Sequence, residues 1–268
     1  MQLFNAVPCS PKSVTRPVAL VFAVVLTSTV IVSGCFDSSD DALPTQLLPT
    51  VLQTKAGGIW TGTWTDDLTG ESYTVSGVVR EDNLEGRFVT DGGPRFLLRN
   101  IIGTEGDMSA TIAATPSVFG DNFQDGSFYT TGVLTGFVDE RTSIEGSWSL
   151  DSGETGTIVL EYDELYERGS DLARLVGTWE CSVGTICNID ALGEIFGQGE
   201  DECVATGQIE VIDALYNVYQ VTYGSPCMIS GVLSGLGVLA DESSTNDAFV
   251  IMLDPNFIFF YTDTFVRQ

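Results

Sequence analysis

Carboxylates are the groups in this chain with the most evident chemical potential, since 37 of its 268 residues are acidic and only 11 are Lys or Arg. Two carboxyls that face each other about 5–10 Å apart, one with a pKa raised by burial, could hydrolyse a glycosidic bond. Glu145 and Glu210 fall on the polar phase of strand-like segments, which predicts solvent exposure. The pattern therefore favours solvated surface acids over a catalytic pair among the candidates Glu145, Glu161, Glu194, Glu202 and Glu210.

Histidine is absent from the sequence. Serine or cysteine nucleophiles activated by His, His-ligated zinc and imidazole acid–base catalysis are thereby excluded. No glycine-rich phosphate loop lies between a strand pattern and a helix pattern, so nucleotide binding has no support. We predict that the protein is not an enzyme and uses no cofactor, and we keep a carbohydrate-active enzyme with paired carboxylates as an alternative.

Two acidic turns could be considered as cation sites. In DNFQDG, residues 121–126, Asp121, Asp125 and Gly126 fit positions of a calcium loop. Phe123 stands where an oxygen ligand is needed, and no Glu occupies the twelfth position. A polar hairpin loop is the better prediction, as it is for DDLTGE at 66–71, and we predict no metal.

The cysteines predict disulfides. Four of the six lie in the last third of the chain, without the close paired spacings of a Cys₄ zinc site. Residues directly opposed in an antiparallel hairpin come within disulfide distance. The midpoint of 181 and 187 is Gly184, and that of 203 and 227 is Leu215, both in predicted turns. We therefore predict the disulfides Cys181–Cys187 and Cys203–Cys227.

The elements that would position these groups are strands. Trp60, Gly62 and Trp64 alternate with threonines, and the segments SIEGSWSL and ATGQIEVI show the same period of two. Turn signals recur between such segments, which predicts an all-β fold of small antiparallel barrels or sandwiches. The tripeptide Gly-Thr-Trp occurs at 62–64 and again at 177–179. We predict two tandem modules, 57–165 and 166–268, with a single larger sheet system as the alternative.

Between the two modules, Ser170 is predicted to cap a short helix through Asp171–Leu175. Residues 35–56 contain two prolines and no clear period, which predicts a flexible linker of about 25 Å. A short helix at 46–55 is the alternative reading of that stretch.

Residues 1–34 have the pattern of an export signal. Lys12 and Arg16 precede an uncharged, mostly apolar run at 18–32, which is shorter than the roughly 20 residues of a membrane span. Val32-Ser33-Gly34-Cys35 resembles the lipobox of bacterial lipoproteins. The resemblance implies cleavage before Cys35, a lipid on its thiol and attachment to the membrane through that anchor. An ordinary signal peptide with an incidental cysteine is the alternative.

Phe36 after the cysteine implies, by the sorting pattern of such lipoproteins, the outer membrane, with the modules either periplasmic or at the cell surface. Loss of Lys12 and Arg16 leaves nine basic and 37 acidic residues, a net charge of −28. That charge repels nucleic acid, which we exclude as a partner, and it also repels an anionic leaflet.

Gly58-Ile59-Trp60 and Gly177-Thr178-Trp179 resemble the first-strand signature of lipocalin-like barrels. The chain as a whole resembles an uncharacterised family of bacterial lipoproteins with two such Trp-opened β modules. The lipocalin resemblance implies a barrel that binds a small apolar ligand. The candidate ligand cup consists of Trp60, Trp64, Trp148 and Trp179. Core packing is the alternative that these residues favour, because an eight-stranded barrel is just wide enough for its own side chains to fill.

A lipid-anchored cell-envelope protein with a non-enzymatic binding or scaffolding role is the function that these patterns favour. Its partner would be another envelope protein or a small apolar ligand. A lipocalin-like carrier of small apolar ligands is the first alternative.

Overall fold

Two closed eight-stranded antiparallel barrels make up the described part of the computed structural model. The structure describes residues 52–116, 121–181, 185–199, 204–224, 231–241, 244–254 and 261–268. The first barrel consists of β1 (Gly58–Asp66), β2 (Ser72–Val79), β3 (Glu85–Thr90), β4 (Arg95–Ile102), β5 (Asp107–Thr115), β6 (Thr130–Asp139), β7 (Ser143–Leu150) and β8 (Thr155–Asp163).

The second barrel repeats this meander. Its strands are β9 (Gly177–Glu180), β10 (Ile186–Ile189), β11 (Glu194–Gln198), β12 (Val204–Val211), β13 (Tyr219–Gly224), β14 (Leu233–Ala240), β15 (Ala248–Asp254) and β16 (Tyr261–Arg267). β1 pairs with β8 over eight residue pairs, whereas β9 meets β16 at two. The prediction of two tandem all-β modules is confirmed, and both are barrels rather than sandwiches.

The period of two sorts side chains between barrel interior and exterior. Trp60 and Trp64 point inward and are buried, while Thr61 and Thr63 between them are exposed. Gly62 shares the inward phase, and a Cβ at that position would lie 2.0 Å from the Val159 carbonyl oxygen. Glycine here lets β1 and β8 approach closely, which helps to close the barrel.

Trp60 and Trp179 are structural equivalents. The indole N–H of Trp60 donates to the Ala56 carbonyl at 2.9 Å, and that of Trp179 donates to the Leu175 carbonyl at 2.8 Å. The Gly-x-Trp segments Gly58–Trp60 and Gly177–Trp179 therefore occupy equivalent positions in the two barrels, 119 residues apart. The two Gly-Thr-Trp tripeptides are 115 residues apart, so they do not occupy equivalent positions and differ from them by four residues.

The connection between the barrels consists of two short 3-10 helices, Glu164–Arg168 and Leu172–Arg174. The prediction that Ser170 caps the second one is wrong. Asp171 caps it by accepting from the Ala173 N–H, and the Ser170 hydroxyl donates to the Asp213 carbonyl. Among the described residues, no helix has the length and apolarity needed to cross a bilayer.

The Cys181–Cys187 disulfide is present, with a Cα separation of 5.9 Å. Its geometric basis differs from the prediction, because Cys187 opposes Trp179 and the Cys181 N–H donates to the Thr185 carbonyl. The bond is diagonal across the hairpin. Cys203 and Cys227 lie outside the described residues, and their pairing stays a prediction. In the β12–β13 hairpin Thr206 pairs with Gly224, so the pairing is centred on residue 215. The prediction of a Cys203–Cys227 disulfide assumed this same centre.

The end of the predicted linker is attached to the first barrel. Gln53 bridges to Thr104, and the Ala56 N–H donates to the Asn83 side chain. The signal peptide, Cys35 and the rest of the linker up to residue 51 lie outside the described residues.

Candidate functional site: the mouth of the first barrel

The four tryptophans predicted to form a ligand cup divide into two pairs. Trp60 and Trp179 lie in the cores of separate barrels and use their indole N–H groups on backbone carbonyls. Trp64 and Trp148 stack on each other, with ring centroids 4.2 Å apart and an interplanar angle of 15°. Trp64 and Trp148 border a surface pocket, whereas Trp60 and Trp179 pack inside the two barrels; a ligand cup at these tryptophans stays a prediction.

The pocket, which we call the mouth pocket, has a volume of about 310 Å³. Four connections at one end of the first barrel surround it: β1–β2, β3–β4, β5–β6 and β7–β8. Its described lining residues are Trp64, Asp66, Tyr73, Gly92, Gly93, Pro94, Pro116, Asp121, Asn122, Phe123, Trp148, Leu150 and Glu154.

Below the mouth pocket the barrel is filled by its own side chains. Trp64 contacts Phe96, with centroids 4.4 Å apart, and Phe96 stacks on Phe88 at 5.1 Å. These rings are fully or almost fully buried in one apolar cluster with Ile112 and Leu134. An eight-stranded barrel is just wide enough for such filling. Trp64 is 1% and Trp148 3% exposed, so a ligand at this site would stay above the stack, among the connections, instead of entering the barrel.

Polar contacts stabilise the described connections around the pocket. Glu154 is 8% exposed and accepts from the Gln124 N–H at 2.6 Å and from the Ser152 hydroxyl. It thereby ties the β5–β6 connection to the β7–β8 turn. In the exposed β1–β2 turn, Asp66 accepts from the backbone N–H groups of Leu68 and Thr69 at 2.8 Å each.

The polar side chains Asp121 and Asn122 of the β5–β6 connection are exposed at the pocket. Tyr73 donates its hydroxyl proton to Glu71 at 2.5 Å, and this hydrogen bond raises the pKa of Tyr73 to about 12. The tyrosine therefore stays neutral at physiological pH.

The acids considered as a catalytic pair are not gathered at the mouth pocket. Glu145, Glu161, Glu194 and Glu210 are exposed on strands of both barrels, and Glu202 lies outside the described residues. Residues 121–126 form a polar loop in which Asp125 accepts from the Ser127 N–H. The Ser127 side chain, and then this hydrogen bond, lowers the pKa of Asp125. Within the described ranges, no three or more Cys, Asp or Glu side chains are placed to hold a metal ion.

Two polar clusters between the barrels were not predicted from the sequence. The Arg141 guanidinium lies 5.3 Å from the Tyr162 ring and 5.0 Å from the rings of Tyr166 and Tyr216, and it pairs with Glu81. Burial, and then the Glu81 charge, raises the pKa of Tyr166. The four segments involved are far apart in sequence, so no local pattern signals this contact.

The second cluster lines an open groove of about 480 Å³ between the barrels. Three arginines line it, Arg80, Arg87 and Arg99, together with the acids Glu85 and Asp254. Arg87 pairs with Asp254 and Glu85, and Arg80 pairs with neighbouring Asp82. The Arg87–Asp254 pair joins β3 of the first barrel to β15 of the second.

Comparison of the chain with protein-family models, with curated proteins and with solved structures finds no match.

Proposed function

We propose that the protein is a lipid-anchored cell-envelope protein with a non-enzymatic binding role, and that the mouth pocket is its binding site. The observation that carries the proposal is a concave site at one end of the first barrel, with the aromatic side chains of Tyr73 and Phe123 in its wall and the buried Glu154 carboxylate linking two of the surrounding connections. Small-molecule sites combine these features: largely pre-formed concavity, aromatic lining and a few convergent polar groups.

The barrel architecture favours loops over strand edges as the binding element. In the first barrel β1 and β8 pair along eight residue pairs, so neither strand presents an unpaired edge to a partner. The filled interior counts against a lipocalin-like carrier that encloses an apolar ligand. The exposed positions of Glu145, Glu161, Glu194 and Glu210 support a role without carboxylate catalysis.

The anchor is proposed on the lipobox-like segment Val32–Cys35, and the outer membrane on Phe36. We expect the mature protein to begin at Cys35, to carry acyl chains and to fractionate with membranes. Cys35→Ser removes the acceptor thiol and should abolish the lipid mass and release the protein from membranes. Mass spectrometry of the amino-terminal peptide, together with cell fractionation, checks both effects.

Cys9→Ser is the matched control, because Cys9 lies in the segment that cleavage removes. It should leave lipidation and fractionation unchanged. Detection of residues 1–34 on the exported protein, or equally firm membrane attachment of Cys35→Ser, would refute the anchor.

The binding role is tested with a panel of small soluble molecules that includes sugars, amines, amino acids and aromatic compounds. Ligand-observed NMR of the purified protein, in a detergent without a sugar headgroup, should detect binding by at least one class. Phe123→Ala removes a half-buried wall of the pocket and should weaken that binding about tenfold.

Phe137→Ala is the matched control for the binding test, because Phe137 is 51% exposed on the outer wall of the same barrel. It should leave the affinity unchanged. If no class binds, or if both variants bind as well as the wild type, the mouth pocket is not a binding site.

A further inference from the structure

We infer that the groove between the two barrels binds a small oxyanion, the phosphate or carboxylate group of a soluble molecule. This groove, which we call the interbarrel groove, has a volume of about 480 Å³ and shares no described lining residue with the mouth pocket. The inference therefore adds a second site to the proposed function and does not depend on it.

Basic residues are concentrated at the interbarrel groove. The chain has only 11 Lys and Arg residues against 37 acidic ones, yet Arg80, Arg87 and Arg99 all line this one site. The acids of the described lining are Glu85 and Asp254. Three positive charges thus accompany two negative ones, on a chain whose net charge is −26. The groove is therefore much less repulsive to an anion than the chain as a whole.

Ion pairs engage only part of two of these guanidinium groups. Arg87 donates through one terminal nitrogen to Asp254, and its other terminal nitrogen lies 3.6 Å from Glu85. Arg80 donates through one terminal nitrogen to Asp82 at 2.7 Å. When Asp82 is counted the cluster is neutral, so the selection of an anion rests on hydrogen-bond donors rather than on net charge.

Two of the donors at the groove are buried without an acceptor. The Nε atoms of Arg80 and Arg87 have no hydrogen-bond partner within the described part of the chain, and Arg87 is only 4% exposed. A buried donor without an acceptor is destabilising, and such a group in a folded protein calls for an explanation such as a bound water or ion. Guanidinium groups match the oxygens of carboxylates and phosphates in geometry and bind them strongly. An oxyanion between the arginines would supply the missing acceptors.

The second barrel contributes neutral polar groups to the opposite wall. Gln220 and Ser234 line the groove, and the Gln220 amide donates to the Ser234 hydroxyl oxygen at 3.3 Å. That contact uses the oxygen as an acceptor, so the hydroxyl proton can be donated to an anion. Both barrels thus provide donors, and we expect a bound oxyanion to stabilise the native arrangement in which the two walls face each other.

The experiment titrates the purified protein with defined probes at low ionic strength, in a buffer without phosphate or carboxylate. Inorganic phosphate and succinate are the oxyanion probes, choline is the cationic probe and glycerol the neutral one. At least one oxyanion should bind with a dissociation constant on the order of 1 mM, as measured by calorimetry, and should raise the unfolding temperature. Comparison of phosphate with succinate shows which of the two groups the groove prefers.

Arg99→Gln removes one guanidinium at an exposed position and should weaken oxyanion binding about tenfold. Ser234→Ala, also at an exposed position, should weaken it about threefold. Arg168→Gln is the matched control, because it removes the same charge from a partly exposed pair with Asp241 outside the groove. It should retain the wild-type affinity.

Three results would overturn the inference. If neither phosphate nor succinate binds, no oxyanion satisfies the two buried Nε donors. If choline or glycerol binds as tightly as the oxyanions, the groove does not select anions. If Arg99→Gln and Arg168→Gln lose affinity equally, the attraction is a general effect of charge and not a property of this site.

Discussion

Arg87→Met is expected to lower the free energy of unfolding by about 3–5 kcal/mol. Arg87 lies on the outer face of β3, is 4% exposed and donates to Asp254 at the end of β15 in the other barrel. Glu85 lies 3.6 Å away on the same strand. Removal of the guanidinium takes this cation away from the buried Asp254 carboxylate, and breaking a buried ion pair by removing one partner is strongly destabilising.

Chemical denaturation followed by circular dichroism measures this loss. Arg168→Met is the matched control, since Arg168 pairs with Asp241 where both side chains are about one-third exposed. That variant should lie within about 1 kcal/mol of the wild type. The double variant Arg87→Met/Asp254→Leu should recover part of the loss. If Arg87→Met unfolds at the same denaturant concentration as the wild type, the ion pair does not join the barrels.

Asn217→Ala is expected to lower the free energy of unfolding by about 2–4 kcal/mol. The Asn217 side chain is 1% exposed; its amide nitrogen donates to the carbonyls of Leu165 and Leu239, and its oxygen accepts from the Leu239 N–H. Truncation leaves one buried donor and two acceptors unsatisfied, and it removes the side-chain bond between the first 3-10 helix and the second barrel, although the Asn217 N–H still donates to the Tyr166 carbonyl.

Thermal and chemical unfolding of the purified variant measure this effect, and limited proteolysis at residues 164–174 should become faster. Asn188→Ala makes the same change at an exposed position of β10, where the amide oxygen accepts only from Thr178, and should shift stability by about 0.5 kcal/mol or less. Equal stability of Asn217→Ala and Asn188→Ala would contradict this role.

Local side-chain periodicity made the fold class predictable. Trp60, Gly62 and Trp64 share one face, and in the barrel they share the interior. Closure was not predictable, because the pairing of β1 with β8, such as Gly62 with Leu160, joins residues about 100 positions apart and has no local signal. The disulfide Cys181–Cys187 was predictable because sequence neighbours in a hairpin stay close even when the register shifts by a residue or two.

The candidate site was predictable only in part. The sequence pointed to all four tryptophans as candidates, including Trp64 and Trp148 at the pocket. All four are buried, so a prediction of burial does not distinguish this pair from Trp60 and Trp179. Tyr73 and Phe123 were missed because Tyr73 lies at the start of β2 and Phe123 in the β5–β6 connection, and the folded barrel brings these segments together at one end. Contacts between the barrels were missed for the same reason: Arg87 and Asp254 are 167 positions apart.

The pairing of first with last strand has a consequence for the order in which the molecule assembles. The first barrel can close once Asp163 has left the ribosome or the export channel, because β8 can then pair with β1. The second barrel can close only after Val266 and Arg267 are available, because these residues of β16 pair with β9. Because domains form as units from the amino end, we expect the half that bears the mouth pocket to reach its native form first and to serve as the surface on which the other half docks.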